Sequence, residues 1–224
     1  MPRLFSLALA ASLSLTAFAH AASLERLRGT IISTTATSLT LQTLQNQTET
    51  IQLNGKTAYA TVTNSTLGAI QPGDFIGTAA KTVGTRQVAL EVAIFPPAMR
   101  GKGEGHYAWD NIADTTQAGA PVQSSMTNGN VAAALPPRVT ASSMTNGNVA
   151  LAASAADDKQ LTVTYTGGQQ IIFVPPTAAV VRLAVATASV VVPGTHVFII
   201  AAPGASGPVA LFVTAGANGI KPPM

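Results

Sequence analysis

The sequence predicts an all-β protein built as two tandem OB-like or small β-barrel units joined by a glycine-rich connector. Three observations predict this class. Many segments alternate apolar and polar residues with the period of a strand. Only 9% of the residues are charged while 47% are hydrophobic, a composition that favours strands over solvated helices. Finally, related segments recur at a constant distance along the chain.

The first 21 residues are predicted to be a signal peptide. Arg3 supplies a positive start, residues 4–18 are apolar apart from serine and threonine, and Ala19 and Ala21 form the small-x-small cleavage pattern. The apolar run is shorter than the roughly 20 residues that a membrane-spanning helix needs, which disfavours an uncleaved anchor. We therefore expect a periplasmic or secreted protein that begins at Ala22 and has no membrane span after cleavage.

Two parts of the chain carry matching patterns, which indicates an internal duplication. Residues 70–76 match 191–197, and residues 88–92 match 209–213, both at an offset of 121 positions. Upstream, residues 38–41 match 160–163 at an offset of 122. Several matches in one register are not expected by chance. We place β-unit 1 at residues 22–95 and β-unit 2 at residues 147–224.

Alternation within each unit predicts its strands. Leu39 and Leu41 alternate with polar residues, and Val88, Leu90, Val92 and Ile94 are expected to share one face of a later strand. Five or six short strands suit a small closed barrel, because closure removes exposed edges. The predicted strands are 27–33, 37–44, 48–53, 57–63, 74–80 and 86–95 in unit 1, and 147–153, 160–166, 169–174, 178–185, 189–192, 196–202 and 208–215 in unit 2.

Residues 96–146 lose this alternation and are predicted to be the connector. They contain the sequence GKGEGHYAWD at 101–110, with the only tryptophan, and the nonapeptide SSMTNGNVA at 124–132, which recurs at 142–150. We expect Trp109 to anchor the start of the connector, and the chain from Asp110 to about residue 139 to lack regular structure. One nonapeptide copy is expected to lead into unit 2 and the other to be a loop insertion.

Composition and motifs argue against several classes of function. The 12 lysines and arginines and the nine acidic residues are scattered, so the basic patch of a nucleic-acid-binding protein is missing from the sequence. There is no cysteine for a disulfide or a thiolate site. The GKGEG segment lacks the glycine spacing of a phosphate loop, and Ser206 lies in a predicted turn rather than a nucleophile elbow. We therefore expect a non-catalytic binding or structural module, not an enzyme.

The connector holds the candidate ligand-binding residues Glu104, His106, Trp109 and Asp110. Their partner would be a protein or a small ligand in the cell envelope, and no cofactor is expected. An alternative is a periplasmic metal-binding protein, because Glu104, His106 and Asp110 offer oxygen and nitrogen ligands for Cu or Zn within seven residues. A plainer interpretation is that the aromatic side chains fill an apolar gap while the carboxylates stay solvated or bond the loop backbone.

With these motifs in view, the chain resembles a family of exported proteobacterial two-repeat β-domain proteins of unassigned function that carry the motif MRGxGEGHxxWD. The resemblance rests on residues 72–79, on residues 89–110, and on residues 126–131 or 144–149. Members often bear the label "metal ABC transporter permease", which the lack of predicted membrane spans in this chain contradicts. The resemblance implies a secreted β-domain and carries no active-site residues over to this sequence.

Overall fold

The structure is a computed structural model that describes residues 23–116, 121–135 and 158–223. The predicted signal peptide and the predicted strand 147–153 lie outside these residues. The all-β prediction is confirmed, because the described residues form thirteen strands and only short 3₁₀ turns. The strands are β1 (Glu25–Thr34), β2 (Ser38–Thr43), β3 (Thr48–Gln52), β4 (Ala58–Asn64), β5 (Phe75–Val83), β6 (Arg86–Ile94), β7 (Gly105–Ile112), β8 (Val122–Leu135), β9 (Lys159–Tyr165), β10 (Gly168–Val174), β11 (Ala179–Ala186), β12 (His196–Ala202) and β13 (Val209–Gly216).

All thirteen strands belong to one sheet. Its order is β10-β9-β8-β5-β6-β11-β4-β13-β12-β1-β2-β3, and β7 pairs with β8 beside this path. Two further parallel pairings, β10 with β6 and β13 with β3, join strands that are distant in that order. No helix among the described residues has the length and apolar character that crossing a membrane requires.

The sheet does not divide into the two tandem OB-like units predicted at 22–95 and 147–224. Strand β1 pairs with β12, and β4 lies between β11 and β13, so strands of the two predicted units are neighbours. Apolar alternation determines which face of a strand is buried, but it does not determine which strand lies beside it. The sequence pattern therefore could not predict whether the strands of the two units stay in separate, tandem sheets.

Three apolar clusters form the interior. The first lies among β1, β2, β3, β12 and β13 and contains Ile31, Leu39, Leu41, Ile51, Leu53, Val191, Val197, Ile199, Ala201, Ala210, Val213 and Ala215. The second lies among β5, β6, β8, β9, β10 and β11 and contains Ile70, Ile76, Ala89, Val92, Ile94, Val131, Leu161, Val163, Ile172, Val174, Ala178 and Val180. The third contains buried residues of β4, β5, β6, β8, β11 and β12, together with Ile112 at the end of β7.

The predicted connector contains two strands, which corrects the expectation that residues beyond Asp110 lack regular structure. Strand β8 runs from Val122 to Leu135 and includes the first nonapeptide copy; the second copy lies outside the described residues. Strand β8 has β5 along one edge and β7 and β9 along the other, and the consecutive residues 126–129 at its centre are all buried. Neighbouring strands thus impose the extended conformation on a segment of low strand propensity.

Strand β6 also departs from the predicted pattern. Its pairing with β5 shifts register between Ala79 and Ala80, which leaves Leu90 as an extra residue in β6. Because a bulge reverses the faces of the residues that follow it, Val92 and Ile94 lie in the second cluster while Leu90 lies in the third. A smaller correction concerns the predicted strand 189–192, where the structure has a 3₁₀ turn at Ala188–Val190.

The chain after β7 is tethered to β5 and β6. The Asp114 carboxylate accepts a hydrogen bond from Lys81 Nζ at 2.7 Å, and Thr115 Oγ1 donates to the Leu90 carbonyl at 2.8 Å. Burial alone would raise the pKa of Asp114, but hydrogen bonds from Lys81 and Thr116 and the charge of Lys81 outweigh it, so the pKa lies below its usual value. These contacts hold the carboxyl end of β7 against the sheet.

Candidate functional site

A cavity of about 630 Å³ lies where β7 and the loop before it face β4, β12 and β13. We call it the aromatic cavity. Large apolar and aromatic side chains make up most of its lining, although only 5% of the residues in the whole chain are aromatic. These side chains are Phe95, Tyr107, Trp109, Phe198 and Phe212, together with Met99, Met126, Leu24, Ile200 and Leu211.

Strand β7 places two of these rings. It pairs antiparallel with β8, so that Tyr107 lies opposite Met126, and Trp109 lies beside Tyr107 although the register shifts between Ala108 and Asn111. The centroid of the Trp109 ring lies 6.0 Å from that of Tyr107 and 6.4 Å from that of Phe198. These spacings fall in the range of favourable aromatic pairs, so the three rings form a continuous aromatic wall.

The loop before β7 closes one end of the cavity. Its Gly103 carbonyl accepts hydrogen bonds from Asn128 Nδ2 at 2.9 Å and from Tyr107 Oη at 3.1 Å. Gly103 has a φ of +60°, and a Cβ added there would lie 3.0 Å from Asn128 Nδ2. Glycine therefore suits this position better than a residue with a side chain, because the backbone is left-handed and the Asn128 and Tyr107 side chains lie close.

The lining carries positive charge and no negative charge. Arg26, Lys56 and Lys102 line the aromatic cavity, and none of its described lining residues is acidic. The Arg26 guanidinium lies 3.9 Å from the centroid of the Trp109 ring, a cation–π contact. Burial raises the pKa of the Tyr107 phenol above its usual value, and the charge of Arg26 lowers it only in part, so Tyr107 stays neutral and keeps its proton for the Gly103 carbonyl.

Two buried polar atoms at the cavity have no hydrogen-bond partner among the described residues, namely Trp109 Nε1 and Asn128 Oδ1. Buried polar groups nearly always form a hydrogen bond, so each of these two unpartnered atoms needs an explanation. Asn128 Oδ1 lies against Gly77, in the space that a Cβ at that position would occupy. The Trp109 N–H is a donor, and its acceptor is absent from the described part of the chain.

The structure separates three of the four residues that the sequence singled out. Glu104 accepts hydrogen bonds from Thr166 N at 2.7 Å and Thr166 Oγ1 at 3.2 Å, in the turn between β9 and β10. His106 Nδ1 lies 2.9 Å from Thr127 Oγ1, and Asp110 forms an ion pair with Arg28 at 2.7 Å.

Only Trp109 of the four lines the aromatic cavity. Across residues 23–116, 121–135 and 158–223, no group of three or more His, Asp or Glu side chains is arranged to hold a metal ion.

Sequence reasoning missed most of the cavity. Arg26 of β1 lies far in the chain from Phe198 of β12 and Phe212 of β13, and each looks like an ordinary strand residue in its own segment. One signal was present: Tyr107 precedes Trp109 by two residues, the spacing that places two rings on the same face of a strand.

Comparisons with protein-family models, with curated proteins and with solved structures find no match to this chain. What can be said of its function therefore rests on the geometry of the aromatic cavity.

Proposed function

We propose that this protein is an exported, non-catalytic binding module and that the aromatic cavity is its binding site. The observation that carries the proposal is the concentration of five aromatic rings and two methionines around one opening of about 630 Å³. Small-molecule sites are typically concave, of this size, and lined by apolar and aromatic side chains with a few polar groups. Methionine adds a lining that adapts to the shape of the ligand.

The chemistry of the lining supports binding rather than catalysis. Its described residues include no histidine, carboxylate, serine or threonine, the groups that most often act as nucleophile or general base. The polar groups at the cavity are three cations, a neutral phenol, an amide and an indole N–H. The proposed export rests on the signal peptide predicted from the sequence. An exported protein would meet a small ligand in the cell envelope.

We also propose that the chain consists of two repeats that exchange their last two strands. If β1–β6 are matched in order to β8–β13, the strand order counted from one end of the sheet corresponds, strand by strand, to the order counted from the other end. In this scheme one OB-like half contains β1–β4 with β12 and β13, and the other contains β8–β11 with β5 and β6. The parallel pairings β13–β3 and β10–β6 would close the two halves in the same way.

The two main clusters support the exchange, because each combines residues from both repeats. The first joins Leu39 and Leu41 to Val213, and the second joins Leu161 and Val163 to Val92. Gly29 and Gly129 occupy equivalent places as well. A Cβ on either would meet a main-chain oxygen of the next strand, that of Gln42 or of Thr164.

Strand exchange predicts that cutting the chain between residues 136 and 157 does not release a folded half. A protease site inserted there would separate β1–β8 from β9–β13, yet each half of the sheet needs strands from both fragments. We expect the cut protein to elute from gel filtration as one species and to separate only in denaturant. Elution of residues 158–224 as a separate folded fragment would contradict the exchange.

Binding in the aromatic cavity predicts that a charge on its wall weakens the uptake of an apolar ligand. Leu211 lines the cavity and is 44% exposed, so Leu211→Asp should leave the fold intact. We expect calorimetric titration with the neutral probe 2-naphthamide to give about tenfold weaker binding to this variant, because contact with one apolar side chain is lost. Val185→Asp, at an exposed position on β11 away from the cavity, is the matched control. Equal affinity for the two variants would remove the aromatic cavity as the site.

A further inference from the structure

We propose that the ligand of the aromatic cavity is an organic acid, an apolar body carrying a carboxylate that Arg26, Lys56 and Lys102 attract. This inference rests on the proposed function and names the chemical class of the ligand. It follows from the distribution of charge around the cavity and from the geometry of Arg26.

The three cavity cations, like Arg182 of β11, differ from three basic residues of the sheet that form ion pairs. Arg28, Lys81 and Arg86 are each neutralised by an aspartate, at distances of 2.7, 2.7 and 3.2 Å. Within the described ranges, Arg26, Lys56 and Lys102 form no ion pair. Three cations around one opening whose described lining holds no acidic residue create a positive potential, which low-dielectric walls focus into the cavity. A ligand that carries a negative charge would gain from that potential.

Arg26 is presented in a way that suits a carboxylate. Its guanidinium lies over the Trp109 ring at 3.9 Å, so the ring restricts one face of the group. The N–H donors of a guanidinium lie in its plane and stay available to bind a carboxylate when a face is stacked on an aromatic ring. The stacking also restricts the side chain before the ligand arrives, which reduces the entropy lost on binding.

An organic acid also needs an apolar surface for the part of the molecule that carries the carboxylate. The aromatic wall of Tyr107, Trp109 and Phe198 accommodates the apolar body.

The test compares two probes of nearly equal shape on the mature chain, 2-naphthoate and its neutral amide 2-naphthamide, by calorimetric titration at low salt. We expect naphthoate to bind at least about tenfold more tightly, with an advantage that declines as salt rises because the attraction is screened. Lys102→Gln and Arg26→Gln should each reduce the preference for naphthoate severalfold. Arg182→Gln removes an exposed arginine of β11 that lies away from the cavity, and it should leave the preference unchanged.

Each outcome decides between the two proposals. Equal affinity for the two probes overturns the organic-acid assignment while the cavity stays a binding site. A preference for naphthoate that Arg182→Gln reduces as much as Lys102→Gln also overturns it, because the preference would then reflect overall charge. Absence of binding by either probe overturns the cavity as a small-molecule site, and the organic-acid assignment with it.

Discussion

Leu90→Asp is expected to prevent the protein from folding. Leu90 is fully buried in the third cluster and occupies the bulge of β6, with chain on both sides. A carboxylate placed there would be removed from water and surrounded by apolar side chains. Burying an unpaired charge costs several kcal/mol, which is comparable to the whole free energy of unfolding of a domain, about 5–15 kcal/mol.

Leu211→Asp is the matched control, since Leu211 is the corresponding bulge residue of β13 and is 44% exposed. The same chemical change should cost less than about 1 kcal/mol there, because the new carboxylate stays in water. Urea unfolding followed by circular dichroism measures both variants. If Leu90→Asp unfolds cooperatively at the same urea concentration as Leu211→Asp, the buried position of Leu90 is wrong.

Gly29→Ala is expected to destabilise the protein by about 2 kcal/mol or more, through steric overlap between strands. A Cβ at this position would meet the main-chain oxygen of Gln42, and it would lie 2.8 Å from the carbonyl carbon of Gln42 and 3.0 Å from the Cα of Thr43. Main-chain atoms of a paired strand cannot rotate away as a side chain can. Strands β1 and β2 must therefore separate, and hydrogen bonds of the ladder are lost with them.

The control for this substitution is Gly55→Ala. A Cβ at Gly55 has nothing within 4 Å, and the residue does not adopt a left-handed conformation. We expect its free energy of unfolding to change by less than about 0.5 kcal/mol. Thermal unfolding of the two variants gives the comparison, and equal melting temperatures would show that β1 does not approach β2 this closely.

Most strands could be located from the sequence because their burial follows their own residues. Strands β2, β3, β9 and β10 lie where alternation predicts them, within one or two residues. Strand β8 could not be located in this way, because Ser125, Thr127 and Asn128 are held extended by pairing with β5 and β7. One of these partners, β5, lies 45 to 55 positions earlier in the chain than the residues of β8 with which it pairs.

The candidate site shows the same division. Trp109 is a candidate ligand-binding residue from the sequence alone, and it does line the aromatic cavity. The neighbouring Glu104, His106 and Asp110 are candidates from the same sequence motif, yet each contacts a different part of the molecule. Proximity in the chain could not separate the first residue from the other three, because a strand sends adjacent side chains in opposite directions.

The sequence by itself determined the all-β class and the inward face of strands such as β2, because each depends on residues a few positions apart. Only the tertiary structure decided that β1 pairs with β12 and that β4 lies between β11 and β13. It also brought Arg26 of β1, Trp109 of β7 and Phe198 of β12 to one cavity. The physical reason is that every strand offers the same main-chain hydrogen bonds, so packing across the whole sheet selects the partners.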